Sequence, residues 1–136
     1  MSVQATATQS NIAAPLPGKT ALVTGGSRSI GAAIAKRLAA DGAAVALTYS
    51  SSPDRAAQVV AEIEAAGGRA LAIEADAGNP DAVRAAVKQT VETFGGIDIL
   101  VNNAGIAVNA LIEDVKFEDF ERVLAVNVTG VFVATQ

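Results

Sequence analysis

The sequence predicts an α/β protein with a doubly wound parallel sheet, carried through about four strands in the order 3-2-1-4. Three observations predict it. Short apolar runs alternate with longer stretches of helical period, giving β-α-β-α-β-α-β-α along the chain. Helical stretches stop at Asp41-Gly42, Gly67-Gly68 and Gly95-Gly96, which are helix-ending signals. The apolar content is mostly Ala and Val, which suits helices packed closely on buried parallel strands. Right-handed crossovers leave few topologies, and 3-2-1-4 is the opening part of a doubly wound sheet.

The elements follow in order. Residues 1–17 carry no charged side chain and read as a flexible tail ending at Pro15 and Pro17. The apolar run at 20–24 predicts the first strand. Ser29–Ala40 predicts a helix with Ile30, Ile34 and Leu38 on one stripe. Ala44–Tyr49 predicts the second strand. Residues 53–66 predict a helix, with Pro53 suited to its first turn. Arg69–Glu74 predicts the third strand and Pro80–Phe94 the third helix, with Asn79 as its N-cap. Residues 97–101 predict the fourth strand, and the chain from Phe117 onward predicts helix to its end.

Composition excludes several function classes. Hydrophobic residues make up 51% of the 136 and charged residues 18%, which supports a packed core and not disorder. The formal net charge is −4 with no basic block, so there is no electrostatic footprint for nucleic acid. Cys and His are both absent, which removes disulfides, the usual zinc sites, thiol nucleophiles and every imidazole triad. The start of the chain has neither a basic n-region nor presequence arginines, and no stretch approaches the ~20 apolar residues of a membrane span. The expectation is a cytoplasmic protein with no membrane partner.

The loops at the carboxyl edge of the sheet carry the chemistry, because ligands of such sheets bind there, where the strand order reverses. The stretch TGGSRSIG at 24–31 leaves strand 1 and enters a helix. Gly25 and Gly26 permit backbone conformations that other residues resist, and Gly31 lets the helix pack close to the sheet. The helix start offers unpaired N–H groups and a positive dipole end to an anion, and a pyrophosphate is the natural guest. The plainer reading of the glycines is a strand-to-helix turn. Strand 4 runs into VNNAG at 101–105, a loop able to organise backbone and touch a flat ligand, or simply a polar turn. Strand 3 leads into Asp76, which can accept from an adenine amino group or cap the next helix.

Strand 2 bears on the choice of cofactor. An NAD site usually carries an acid about 20 residues past the glycine loop for the ribose 2′-hydroxyl. Tyr49 stands there, and no carboxylate follows until Asp54. Arg28 can supply positive charge to a 2′-phosphate, and Ser50 or Ser51 hydrogen bonds; the alternative for Arg28 is a solvated loop residue. NADP(H) is therefore expected over NAD(H).

Together these residues resemble the short-chain dehydrogenase/reductase family, from about Lys19 to Gln136. TGGSRSIG resembles the family's T-G-x-x-x-G-x-G loop, NNAG at 102–105 its N-N-A-G element, and VNVTG at 126–130 its V-N-x-x-G element, while Asp76 stands at the family's adenine-contacting Asp. Within the family it looks most like the NADP-dependent 3-oxoacyl-[acyl-carrier-protein] reductases and the sugar-dehydrogenase-like members. The resemblance implies a Rossmann-type domain, of which 18–136 is the N-terminal portion, and an NADP(H)-dependent oxidoreductase acting on a small carbonyl or alcohol. It implies cofactor contacts from Thr24, Gly25, Ser27, Arg28, Ser29, Ile30, Gly31, Tyr49, Ser50, Ser51, Asp76, Ala77, Asn103, Ala104 and Gly105. It implies a catalytic Asn127 that helps hold a water in a proton relay, and a parent enzyme that is a homodimer or homotetramer.

Two features depart from the family pattern. Ser29 replaces the middle glycine of the loop. The family's catalytic Ser and Tyr-x-x-x-Lys have no match, since the only tyrosine is Tyr49, with Pro53 four residues on. The expectation is an N-terminal fragment, inactive by itself, of a longer enzyme. The alternative is a dinucleotide-binding module without chemistry. A methyltransferase, which wants an acid at the end of strand 2, fits less well.

Overall fold

The computed structural model describes residues 14–136. Most of the stretch read as a tail, residues 1–13, lies outside the described residues. Within that stretch Leu16 packs against the core, and its N–H donates to the Asp41 carbonyl at 2.8 Å.

Four strands form one parallel sheet: β1 (Thr20–Val23), β2 (Ala44–Tyr49), β3 (Arg69–Glu74) and β4 (Ile99–Val101), in the order β3-β2-β1-β4. The predicted order is the observed one. Register places Val23 beside Leu47 on one side and Val101 on the other. All four strands therefore end at the same edge. Because successive side chains alternate faces, each face collects its own core. Val23, Val45 and Leu47 pack with Ala32, Ala35, Val59 and Ile63, while Leu22, Ala46 and Ile73 pack with Ala86.

The first face is covered by α1 (Ser29–Ala40) and α2 (Pro53–Ala65), the second by α3 (Pro80–Phe94). On α1 the buried stripe differs from the expected one. Gly31, Ala32, Ala35 and Ala39 are buried, Ile34 and Leu38 lie only part-way in, and Ile30 is 71% exposed. Small side chains let the helix axis come close to the strands, and the larger residues are left at the rim of the contact. Asn79 caps α3 as expected: its Oδ1 accepts from the N–H groups of Asp81 and Ala82 at 3.1 and 3.2 Å, and Pro80 follows at the first helical position.

β4 begins two residues later than its apolar run. Asp98 is occupied there: its Oδ2 accepts from the Thr20 N–H at 2.8 Å, and its own N–H donates to the Thr20 carbonyl at 2.9 Å. After β4 a short 3-10 turn, Ile112–Asp114, precedes α4 (Phe117–Leu124). The continuous helix expected from Phe117 is interrupted by a π-helical turn, Ala125–Thr129, before α5 (Gly130–Thr135). In that turn the Gly130 N–H reaches back five residues to the Ala125 carbonyl.

Candidate functional site

Beyond the strand ends lies a cleft of about 390 Å³. Every cofactor-contacting candidate except Thr24 lines it. The loops after all four strands make it, and short-range hydrogen bonds tie those after β1 and β4 to each other and to the end of β2. Thr24, buried at the end of β1, accepts from the N–H groups of Asn103 and Ala104, both at 3.1 Å, through one hydroxyl. Its role is to dock the loop after β4 onto the loop after β1, not to form the wall. Asn103 returns the link: its side-chain amide donates to the carbonyls of Thr24 and Gly25, both at 3.0 Å. Thr48, which sequence reasoning passed over, joins β2, accepting the Gly25 N–H on its hydroxyl at 3.0 Å and the Gly26 N–H on its carbonyl at 2.9 Å.

The glycine loop is tight. Gly25 has φ +66°. A Cβ at Gly31 would overlap the Gly25 carbonyl oxygen and crowd the Asn103 amide. Gly31 is thus required less for helix-to-sheet packing than for the loop's approach to itself. Ser29, at the family's middle glycine, has φ +48°, the left-handed region that an L side chain occupies at a cost of about 1 kcal/mol. No side chain caps the start of α1. Its first residues, Ser29, Ile30 and Gly31, all line the cleft, so backbone donors and a positive dipole end face the cavity. Arg28 also lines it and makes no ion pair among the described residues.

Tyr49, Ser50 and Ser51 form the wall beyond β2, with Tyr49 partly packed on the core. No carboxylate comes from that segment. Asp76 forms the wall beyond β3. It does not cap α3, a task held by Asn79. Its Oδ1 accepts instead from the Gly78 N–H at 2.9 Å and from Arg122 Nη2 at 2.9 Å. The Arg122 guanidinium holds the Asp76 carboxyl below its ordinary pKa, and Asp76 in turn raises that of Arg122. Arg122, Val126, Ile106, Thr48, Ala75 and Ser52 line the cleft without having been singled out beforehand. Arg122 lies 46 residues from its partner, and no local signal announces such a pair.

Asn127 stands apart from the cleft wall. Its Oδ1 accepts from the Ile106 N–H at 2.9 Å and its Nδ2 donates to the Ile106 carbonyl at 2.8 Å. Both ends of the amide bond one residue of the loop after β4, and each keeps capacity for one further hydrogen bond.

Among the described residues no group of His, Cys, Asp or Glu is arranged to hold a metal, and no helix is long and apolar enough to cross a membrane.

The sequence profile of the short chain dehydrogenase family matches residues 19–136. The chain is 51% identical over 121 residues to an uncharacterized oxidoreductase of Methylorubrum extorquens, covering 89% of this chain and 49% of that protein. It is 47% identical over 121 residues to a 3-oxoacyl-[acyl-carrier-protein] reductase of Synechocystis, with the same coverage of 89% and 49%. A short chain dehydrogenase from Burkholderia cenocepacia, solved in complex with NADP, superposes with a TM-score of 0.88 at 61% identity, over 90% of this chain and 50% of that one. A blue fluorescent protein from a metagenomic library, solved with NADPH, superposes with a TM-score of 0.87 at 52% identity, again over 90% and 50%. The chain spans about half the length of the curated relatives it matches.

Proposed function

The chain belongs to the short chain dehydrogenase family, and on that premise we propose that it supplies the NADP(H)-binding part of an oxidoreductase acting on a small carbonyl or alcohol. The observation that carries this reading is the uncapped start of α1, opening into a cleft that Arg28 lines and that receives no carboxylate from the segment after β2. The backbone donors of Ser29, Ile30 and Gly31 suit a pyrophosphate. Arg28 with Ser50 and Ser51 suits a 2′-phosphate, which an acid at the Tyr49 position would repel. The two solved relatives that hold NADP and NADPH support the same preference. Ala104 and Gly105 line the cleft with nothing larger than a methyl group, which suits a flat ring lying against the loop after β4. When bound, the nicotinamide supplies or accepts hydride. Asn127 acts by bracing the backbone at Ile106 next to that ring site.

We assign no proton donor within the 136 residues, because the only tyrosine is Tyr49, at the end of β2, with no lysine four residues on. By itself the chain binds cofactor and does not turn over. That same observation favours a second reading, a dinucleotide-binding module with no chemistry of its own.

The experiment is a fluorescence titration of the purified chain with NADPH and NADH, made simple by the absence of Trp. The expected result is saturable binding of NADPH, about tenfold tighter than NADH, with Arg28→Ala removing most of the difference and leaving NADH affinity unchanged. Equal or tighter binding of NADH would overturn the cofactor assignment. Oxidation of NADPH by this chain with a carbonyl substrate would overturn the claim of inactivity.

A further inference from the structure

Arg122 has no part in the reading above, yet it lines the same cleft. It comes from α4 and crosses to the turn after β3. Its Nη2 bonds Asp76 Oδ1 at 2.9 Å, and the same oxygen accepts the Gly78 N–H at 2.9 Å. The helix meets this turn at two further places. A Cβ on Gly78 would crowd both the Arg122 guanidinium and Val126, and a Cβ on Gly130 would overlap the Ala77 carbonyl oxygen. The turn at 76–78 is therefore seated on Arg122, Val126 and Gly130, spaced four residues apart. With Oδ1 bound twice, Asp76 Oδ2 accepts no hydrogen bond among the described residues. The ion pair is half-exposed, 46% for Arg122 and 41% for Asp76, so it adds little to folding stability. What it does is fix one rotamer of a carboxylate at a cleft wall.

We infer that Arg122 is a positioning residue for the adenine end of the cofactor, holding Asp76 so that its second oxygen accepts the purine 6-amino group. The inference rests on the reading of the cleft as a dinucleotide site. It makes the helix that carries Asn127 set the geometry of the adenine wall as well. Its readout is discrimination at one atom. Hypoxanthine carries an oxygen in place of the 6-amino group, and a fixed carboxylate oxygen would then face an acceptor.

The test titrates the full chain with NADPH and with its hypoxanthine analogue, for the wild type, Arg122→Met and Arg122→Lys. The wild type is expected to prefer the adenine dinucleotide by about tenfold, the effect of one hydrogen bond to a charged acceptor at a half-exposed site. Arg122→Met should reduce the ratio to about one to two, and Arg122→Lys, a point charge without the planar fork, should fall between. If Arg122→Met does not fold, Arg122→Lys carries the test alone. A ratio that survives in the variants, whatever happens to absolute affinity, means that Arg122 serves only packing and overturns the inference. So does a wild type that binds both dinucleotides equally. A wild type that binds neither saturably removes the dinucleotide site itself, and is thereby distinguished from those two results.

Discussion

Strands β1 and β2 are buried along nearly their whole length, whereas β4 is only half-buried and α4 buries none of its residues. The β1–β2 region is covered by the chain's own helices on both faces, so its apolar runs become core. The region from β4 onward keeps large apolar side chains at its surface: Phe117, Phe120, Leu124, Val128 and Phe132 are between 42% and 67% exposed. Yet the two regions share one cleft, and the second contributes Asn103, Arg122 and Asn127 to its organisation. The difference teaches that position in the site and contribution to stability are separable here. The glycine loop stands on a finished core, while the residues opposite are held by hydrogen bonds, one ion pair and a few buried apolar side chains such as Val126 and Val133.

The sharpest way to break this comparison is truncation in each region. Leu47→Ala, at a fully buried position, should cost about 2–5 kcal/mol in urea unfolding, and Phe120→Ala, half-exposed, less than about 1 kcal/mol. Equal costs would mean that the two regions are not built differently. Next in size is the loop itself. Gly31→Ala should cost about 1–3 kcal/mol and abolish NADPH binding, because its Cβ meets the Gly25 carbonyl oxygen. Gly96→Ala, where a Cβ meets nothing within 4 Å, should change binding not at all. Retained NADPH affinity in Gly31→Ala would show that the loop is slack. The smallest effect concerns Ser29. Ser29→Gly removes about 1 kcal/mol of backbone strain at φ +48° but adds the chain entropy of a glycine, roughly 0.5–1 kcal/mol. The net should be a gain of a few tenths of a kcal/mol, seen as a slightly higher Tm. A clear loss of stability would mean that the serine side chain makes up for its own strain.

Much of the fold was legible because punctuation was strong. Pro80 and Gly95 bracket α3 at the predicted residues, and Asn79 caps it. Most of the cleft wall was also legible, since parallel strands must end at one edge. What escaped was set by contacts between distant segments. The stripe of α1 reads as Ile30, Ile34 and Leu38 by hydropathy, but the close approach to the sheet selects Ala32, Ala35 and Ala39. The π-helical turn has no sequence signal of its own; it falls where Asn127 bonds the Ile106 backbone and Gly130 meets Ala77. Thr24 reads as a cofactor contact and Thr48 as a strand residue, and only the fold reveals them as the ties between loops. Arg122 carries no signal in the sequence, because its partner Asp76 lies 46 residues away.

The most direct test is amide hydrogen exchange of the 136-residue chain with and without NADPH. Slowed exchange at 25–31, 49–51, 75–78 and 103–106, with α2 unchanged, is the predicted result, because those segments converge on the cleft and α2 does not. No added protection at 25–31, or protection confined to the exposed apolar residues of α4 and α5, would contradict a nucleotide site built on the glycine loop.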